Sequence, residues 1–458
     1  MVLLTRPKMN FQVSRFGGGA TETQILPFTL AVLLISGLLI FSLSRRHVIV
    51  PLLLASILIP LGQVILIGPF HFSVFRILIL VGWVRLIGSG MIWNSKSSGF
   101  RINSIDRMVV LWSLSSVFAF LFLYPNVAAL INRTGFLYSA IGTYFLLRFL
   151  IQDNDDIDRV IRVLAVICLI VAVFMVNERF TGRNVFAVFG GVPEMTIIRD
   201  GQLRSQGPFA HAILAGTFGA ILLPLFVGLW QQGPRATAAL GIVSATVMVV
   251  TSVSSTPLAV YAGGIAGLCF WPFRRRMRLF RWGVAILLVT LHMIMKAPVW
   301  ALIARARVIG TSSGYHRYML IDQTIRHFGD WWLYGVQDTA GWGWAMGDTS
   351  NQFVSTAVTG GLLTLIFSIA LIARAFQRIG IARKSWEGSP GTERRLWTLG
   401  VCLFSNVVAF FGVTYFDQTV FVWYALLAMI SSVRIAKEKV PQGQLRSIEA
   451  PTYAITRH

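Results

Sequence analysis

Long apolar segments alternate with short polar segments along almost the whole chain. A helix needs about 20 apolar residues to cross the hydrocarbon core of a bilayer, and thirteen segments reach or approach that length. Because only helices satisfy their own backbone hydrogen bonds in lipid at this segment length, the pattern predicts an all-α fold. The predicted segments are 25–44, 47–69, 72–93, 108–124, 135–151, 160–176, 209–230, 236–253, 256–273, 282–297, 353–373, 397–414 and 419–433.

This pattern divides the chain into three parts. Residues 1–24 form a polar N-terminal segment, residues 25–433 a single domain of about 12–13 transmembrane helices, and residues 434–458 a basic tail. Two polar segments inside the domain are too long to be simple connections between helices. We call them the first loop, about 178–208, and the second loop, about 298–352.

The composition agrees with a membrane protein. Hydrophobic residues make up 55% of the chain and charged residues 13%, whereas soluble domains contain about 25% charged residues. The net charge of +22 is also typical of nucleic-acid-binding proteins, but here the basic residues lie between apolar segments instead of on a polar surface. We therefore expect a lipid bilayer as the environment and no nucleic-acid partner.

The positions of the basic residues predict an orientation. With the C-terminal tail in the cytoplasm, 25 of the 40 Lys and Arg residues fall on the inner side and 13 on the outer side. This bias follows the positive-inside rule and places both long loops outside the membrane. Because positive charge is normally avoided there, the basic character of these loops predicts that they bind an anion.

The first loop carries arginine but no lysine. The arginine side chain presents a fixed fork of donors that suits phosphate and diphosphate groups. Arg183, Arg199 and Arg204 are therefore candidate substrate-binding residues. The alternatives are that these side chains extend to lipid headgroups, or that they form ion pairs with neighbouring carboxylates such as Glu178.

The second loop contains a predicted amphipathic helix over residues 313–328, lying at the membrane surface. Arg317 borders its apolar face, and His316 and His327 lie on another face. These two histidines are about 16 Å apart along a helix, so they do not share a metal ion. Aromatic residues then follow, such as Trp331, and they predict either an interfacial belt or stacking on sugars. The apolar face comprises Tyr318, Ile321, Ile325 and Phe328.

The order of these features over about residues 135–375 resembles the bacterial O-antigen polymerase and O-antigen ligase superfamily. The features are an inner loop at 153–162, a span, a loop ending Arg204-x-x-Gly207-Pro208-Phe209, a long second loop with an early arginine, and an Asn before a Gly-rich span. The resemblance implies a polytopic membrane glycosyltransferase with a fold like that of the GT-C class. It also implies an undecaprenyl-diphosphate-linked glycan as the donor, with no nucleotide, metal or other cofactor.

The resemblance also implies roles for individual residues. Arg204 matches the arginine of the family's first loop and Arg317 that of its second loop, and both are expected to contact the diphosphate. Asn351 matches the Asn of the family's His-Asn pair at the start of the next span. Ser350 stands where the family has the histidine, which leaves the catalytic base unassigned.

A lipid diphosphate is its own leaving group, and arginine can stabilise its developing charge without a metal ion. An acceptor hydroxyl group still benefits from a general base. The candidates, in order of preference, are Asp348, Glu178, His316 and His211.

The leading hypothesis is a polymerase that joins undecaprenyl-diphosphate-linked repeat units into O-antigen or exopolysaccharide. It would act on the periplasmic face of the bacterial inner membrane, on a glycan or lipid-linked acceptor, with a chain-length regulator or a flippase as possible partners. One alternative is an O-antigen ligase that transfers the glycan to lipid A core. A second alternative, from another class, is a secondary transporter or flippase with a similar number of spans.

Overall fold

The computed structural model describes residues 23–90, 101–199, 201–305 and 313–435. Helices make up 75% of the structure and strands 4%, so the mostly helical fold predicted from the sequence is confirmed. The fold is not purely α-helical, because two short β-hairpins are present. Of the predicted segment 1–24 and the predicted tail 434–458, all except residues 23–24 and 434–435 lie outside the described residues.

The described residues before the first loop form helices and one antiparallel hairpin. These elements are α1 (Pro27–Ser42), α2 (Arg45–Leu58), β1 (Val64–Ile67), β2 (Phe70–Ser73), α3 (Val74–Gly88), α4 (Ser104–Leu123), α5 (Val127–Leu150) and α6 (Asn154–Thr181). The first loop contains a second hairpin, formed by β3 (Ile198–Arg199) and β4 (Gln202–Leu203).

The second half of the described chain is helical. It begins with α7 (Ala212–Gln232), α8 (Arg235–Thr251), α9 (Ser255–Cys269) and α10 (Met277–Ile294). The second loop contains α11 (Leu302–Arg305), α12 (Ser313–Arg326) and α13 (Phe328–Trp331), and α12 confirms the helix predicted there. The chain continues with α14 (Gln352–Ser385), α15 (Pro390–Phe410) and α16 (Thr419–Ser432).

Each of the thirteen predicted apolar segments contains an α-helix among its described residues. Within the described part of the chain, five helical segments are long and apolar enough to cross a membrane, namely α4, α6, α7, α14 and the segment Trp271–Ile294 that contains α10. Shorter apolar helices, α1, α8, α9 and α16, accompany them. This set of helices is compatible with a multi-pass membrane protein.

The predicted segment 47–69 differs most from the structure, because it is not one continuous helix. α2 ends at Leu58, and β1 follows. Pro60 lacks the N–H donor that a continuing helix needs. Gly62 has a φ of +151°, and a Cβ atom at this position would lie 2.6 Å from the Cα atom of Gly191. The close contact between these two glycines therefore ends the helical segment and brings the chain against the first loop.

The core is centred on α7 and α16, in which nearly every side chain is buried. α7 packs against α6, α8, α9 and α15, whereas α16 packs against α5 and α14. A Cβ atom at Gly219 of α7 would lie 2.9 Å from the carbonyl oxygen of Ala245, so glycine lets α8 approach closely. Since α7 begins where the first loop ends, this packing fixes one side of the candidate site.

A buried polar cluster connects α4, α5 and α16 at the other end of these helices. The Tyr144 hydroxyl group donates to the Asp106 carboxylate and lies 2.8 Å from the Ser431 hydroxyl oxygen. The Arg148 guanidinium group lies 3.6 Å from the same carboxylate. Buried charges are stable only when they are paired in this way. The cluster therefore holds together the beginning of α4 and the ends of α5 and α16.

Candidate functional site

Arg204 lies at the end of the first loop, directly after β4, and its side chain reaches the N-terminus of α9. The guanidinium group donates a hydrogen bond of 2.6 Å to the Ser254 hydroxyl oxygen and one of 3.4 Å to the carbonyl oxygen of Ser252. Ser254 is the residue that precedes α9. The first loop therefore places a cation at the beginning of this helix.

Arg317 reaches the same helix end from the second loop. It lies on α12, and its guanidinium group donates a hydrogen bond of 2.6 Å to the hydroxyl oxygen of Thr256, in the first turn of α9. A Cβ atom at Gly412 would lie 2.7 Å from this hydroxyl oxygen and 3.3 Å from Nε of Arg317, so only glycine leaves the space. The two arginines that the sequence singled out are thus brought together at one helix N-terminus.

The electrostatics of this place favour an anion. Burial lowers the pKa of the Arg317 guanidinium group, and the positive charge of Arg199 lowers it further. Arg199 lies on β3 and is exposed. Three arginines therefore act on a region where the α9 dipole adds positive potential. A phosphate or diphosphate group is the kind of ligand that such a region stabilises.

Glu178 lies at the C-terminal end of α6 and holds the first loop in place. Its carboxylate is fully buried and accepts hydrogen bonds from the backbone N–H groups of Gln206 (3.1 Å) and Gly207 (2.9 Å). It also accepts one of 3.0 Å from the Thr196 hydroxyl group. These donors occupy the carboxylate, so we place Glu178 in a positioning role behind Arg204 and leave it out of the proposed catalytic group.

His211 and Asp348, which follow the first loop and lie in the second loop respectively, are close enough to interact electrostatically. Burial lowers the pKa of the His211 imidazole, the positive charge of Arg204 lowers it further, and the negative charge of Asp348 raises it. His211 precedes α7, and Asp348 is exposed in the second loop. His211 is therefore near Arg204, and both His211 and Asp348 are exposed and open to a ligand.

The other predicted site residues have contacts of a different kind. The ring Nε2 of His316 lies 2.9 Å from the carbonyl oxygen of Ala345, a contact within the second loop. Asn351 is buried and caps α14, because its side-chain oxygen accepts from the N–H groups of Phe353 and Val354. Arg183 is exposed, and its backbone pairs with that of Met195. The backbone of Arg183 also exchanges hydrogen bonds with the Thr181 hydroxyl group, within the first loop itself.

A third loop, residues 411–418 between α15 and α16, connects the two long loops. The Thr414 hydroxyl group donates a hydrogen bond of 2.7 Å to the carbonyl oxygen of Thr349. The Asp417 carboxylate accepts one of 3.3 Å from the N–H group of Ala210. The Gln418 side chain donates one of 2.7 Å to the carbonyl oxygen of Pro208. The third loop therefore holds the segments that carry His211 and Asp348.

Sequence reasoning missed the third loop because it is short and carries no Lys or Arg. A signal was nevertheless present, since Asp417, Gln418 and Thr419 form a polar run between two apolar helices. All three side chains are buried, and burial raises the pKa of the Asp417 carboxyl group to about 6. A buried polar group requires partners, and here they include Pro208 and Ala210 at the end of the first loop and Ile59 after α2.

Comparison with models of protein families finds no match to this chain, and comparison with curated proteins finds no relative.

Proposed function

We propose that this protein is a membrane glycosyltransferase that polymerises undecaprenyl-diphosphate-linked oligosaccharide repeat units on the outer face of a bacterial inner membrane. The observation that carries the proposal is the convergence of Arg204 and Arg317 on Ser254 and Thr256 at the N-terminus of α9. A diphosphate group matches this arrangement because it offers several anionic oxygens to two donor forks and a helix dipole.

The arginines supply electrostatic catalysis. As the bond between the sugar and the diphosphate breaks, negative charge grows on the departing lipid diphosphate. Donors that already point at this position stabilise the charge without reorganising. Arg204 and Arg317 then take the role that a metal ion has in other transferases, and Arg199 adds to the same potential.

His211 is the base that this arrangement favours, with Asp348 as its partner, which reverses the order of preference drawn from the sequence. The neutral imidazole accepts the proton of the acceptor hydroxyl group. The oxygen forms a bond to the anomeric carbon, and the diphosphate leaves with the electron pair of the bond that breaks. The carboxylate of Asp348 stabilises the imidazolium ion that results. The proton therefore ends on His211, and the lipid diphosphate is the leaving group.

The membrane architecture is part of the proposal. The thirteen helices that coincide with predicted spans support a polytopic body of about 12–13 spans resembling the GT-C class. The predicted orientation puts the first, second and third loops on one side, facing the periplasm. An O-antigen ligase would use the same donor and the same arginines, so the site supports this alternative in the same way.

A broken helix gives the transporter hypothesis its one observation. α14 has a non-helical residue at Gly361, with φ +72° and ψ −179°, and transporters often bind ions at such breaks. Here the Val336 N–H group donates a hydrogen bond of 2.7 Å to the carbonyl oxygen of Val358. The Leu362 N–H group donates one of 2.8 Å to the carbonyl oxygen of Trp332. The second loop therefore occupies the freed backbone groups, which favours a structural break over an ion site.

A complementation experiment tests the proposal. In cells that lack the chromosomal copy of the gene, Arg204→Ala and Arg317→Ala should abolish long polymer while single lipid-linked units persist. The matched control is Arg183→Ala, an exposed arginine of the same first loop, which should restore normal chain lengths. Membrane abundance of each variant is measured by immunoblot.

The glycans in these cells separate the alternatives. Accumulated lipid-linked long chains would identify a ligase instead of a polymerase. If cells that stably express Arg204→Ala or Arg317→Ala still make full-length polymer attached to its acceptor, the result would contradict both the polymerase and the ligase.

A further inference from the structure

Trp344 is an exposed aromatic residue of the second loop. It is 85% exposed, and among the described large hydrophobic residues only Phe180, at 84%, approaches this value. It belongs to a segment that we call the tryptophan segment, residues 338–350, between α13 and α14. A single exposed apolar side chain is common on protein surfaces and does not by itself define a site. The backbone that presents the ring is what distinguishes Trp344.

The residues on both sides of Trp344 have positive φ angles. Gly343 has a φ of +147° and Ala345 a φ of +58°. Ala345 is one of two non-glycine residues with a positive φ in the described part of the chain. Such a conformation is costly for a residue with a Cβ atom and persists only where the surroundings hold it, often at a ligand site. The chain therefore contains local strain at the position where it exposes Trp344.

Three contacts hold this strained turn in place. The carbonyl oxygen of Ala345 lies 2.9 Å from Nε2 of His316 on α12. The Thr339 hydroxyl group donates a hydrogen bond of 2.7 Å to the carbonyl oxygen of Met346, which joins the two ends of the turn. Met346 is itself 2% exposed and anchors the segment in the fold. The backbone beneath Trp344 is therefore fixed, whereas its indole ring remains exposed.

Trp344 is also close to Asp348 along a tight turn. The Asp348 N–H group donates a hydrogen bond of 3.3 Å to the carbonyl oxygen of Ala345. The Cα atoms of a turn closed in this way lie within about 7 Å, which places the Cα atom of Trp344 within about 11 Å of that of Asp348. The negative charge of Asp348 in turn acts on the His211 imidazole. An exposed indole ring therefore lies near the residues to which we assign proton transfer.

The surroundings of Trp344 favour a carbohydrate over the bilayer. Segments that lie on a membrane surface carry Lys or Arg and several large apolar side chains. The tryptophan segment has no Lys or Arg, and its two carboxylates, Asp338 and Asp348, are exposed. Its other large apolar side chains are occupied, because Met346 is buried and the Trp342 ring stacks on a neighbouring histidine ring at a centroid distance of 4.8 Å. One ring in an acidic segment suits a neutral ligand better than an anionic membrane.

We infer that Trp344 is a stacking surface for a sugar ring of the acceptor glycan, an inference that rests on the proposed function. A pyranose ring has a face lined by C–H groups, and these groups pack on the electron-rich face of an indole ring. A sugar held there has its hydroxyl groups near Asp348 and His211, whereas the arginines bind the diphosphate of the donor. Because the backbone is already fixed, little conformational entropy is lost when the glycan binds.

A titration with soluble sugars tests the stacking surface. The probes are short oligosaccharides obtained by partial acid hydrolysis of the surface polysaccharide of the strain that carries the gene. They are titrated by calorimetry into the full chain in phosphatidylcholine nanodiscs. Trp344→Ala should weaken binding by about tenfold or more, and Trp344→Phe, which keeps an aromatic ring, should weaken it less. The matched control is Phe180→Ala, an equally exposed aromatic residue of the first loop, which should bind like the native protein.

Two results of this titration would overturn the inference. One is the absence of oligosaccharide binding to the native protein, and the other is an unchanged affinity in Trp344→Ala.

A fluorescence measurement tests the bilayer as the alternative environment of Trp344. The emission of this residue is the difference between the native protein and Trp344→Phe. Brominated acyl chains quench only indole rings that they contact, so this difference should be equal in brominated and ordinary phosphatidylcholine nanodiscs. Quenching of the difference by brominated lipid would place the ring in the bilayer and would overturn the inference.

A parallel titration with inorganic pyrophosphate separates this inference from the proposed function. Trp344→Ala should bind pyrophosphate like the native protein, whereas Arg204→Ala and Arg317→Ala should bind it more weakly. If the arginine variants bind pyrophosphate normally, the diphosphate site is wrong, and loss of oligosaccharide binding in Trp344→Ala would still establish a carbohydrate site. If only the arginine variants lose their ligand, the stacking surface alone is wrong.

Discussion

Arg204 and Arg317 donate hydrogen bonds to hydroxyl groups two positions apart in the chain, those of Ser254 and Thr256. The arginines belong to different loops, and the hydroxyl groups belong to the first turn of α9 and the residue before it. Each guanidinium group is therefore oriented by a short contact to the same helix end. This geometry requires α9, the first loop and the second loop to be packed together before a ligand arrives.

The hydroxyl groups should matter for binding although they carry no charge. Ser254→Ala and Thr256→Val remove a hydrogen bond to a charged group, a contact worth about 1.5–3 kcal/mol. Each should weaken the binding of undecaprenyl diphosphate by about tenfold or more. Thr251→Val is the control, because that hydroxyl group bonds to its own helix at Val247. Equal loss in all three variants would contradict the orienting role.

The rate of glycan transfer should depend on the protonation of His211. The pKa of His211 is lowered, so the rate measured with purified protein should fall only below the usual histidine pKa of about 6.5. Asp348→Asn removes the negative charge that raises this pKa. The acidic limb of the pH–rate profile, where the rate falls, should therefore move to lower pH. A limb that stays in place, or moves upwards, would exclude Asp348 as the partner of His211.

His211→Asn should reduce the transfer rate by about 100-fold or more and leave the affinity for undecaprenyl diphosphate unchanged. Loss of affinity together with rate would show that His211 binds the donor instead of acting as the base.

Glu178→Ala should destabilise the protein and abolish polymer formation. The substitution leaves the buried N–H groups of Gln206 and Gly207 without an acceptor, at about 1–3 kcal/mol each. Glu178→Gln retains an acceptor oxygen, so its thermal midpoint in detergent should fall less. Glu194→Ala, an exposed glutamate of the same loop, should melt like the native protein. If Glu178→Ala melts normally but is inactive, a direct catalytic role would replace the positioning role.

Asp417 should make the protein more stable in acid than in base. Its carboxyl group has a pKa raised by burial to about 6, so the folded state favours the protonated form. Its contribution to stability is fully present below about pH 4 and is lost as the pH rises through about 6, a change of about 3 kcal/mol. Asp417→Asn should flatten the dependence of the thermal midpoint on pH over this range. An unchanged dependence in the variant would exclude Asp417 as its source.

Periodicity and length were sufficient to locate the helices, because apolar runs such as 209–230 record burial directly. The end of α2 was also encoded locally, by Pro60 and Gly62, but a simple measure of hydrophobicity does not register backbone conformation. The roles of Glu178 and of the third loop depend on contacts between distant parts of the chain. Arg204 was a candidate because arginine in a predicted outer loop departs from the positive-inside rule, whereas the role of Arg317 came from the family resemblance.

A double-mutant cycle measures the central claim most directly. The affinity of the purified full chain for undecaprenyl diphosphate is determined for the native protein, Arg204→Ala, Arg317→Ala and the double variant. If both arginines bind one diphosphate group, each substitution weakens binding and the two effects are not additive, with a coupling energy of about 1 kcal/mol or more. Additive effects, or no loss of affinity in either single variant, would contradict a shared diphosphate site.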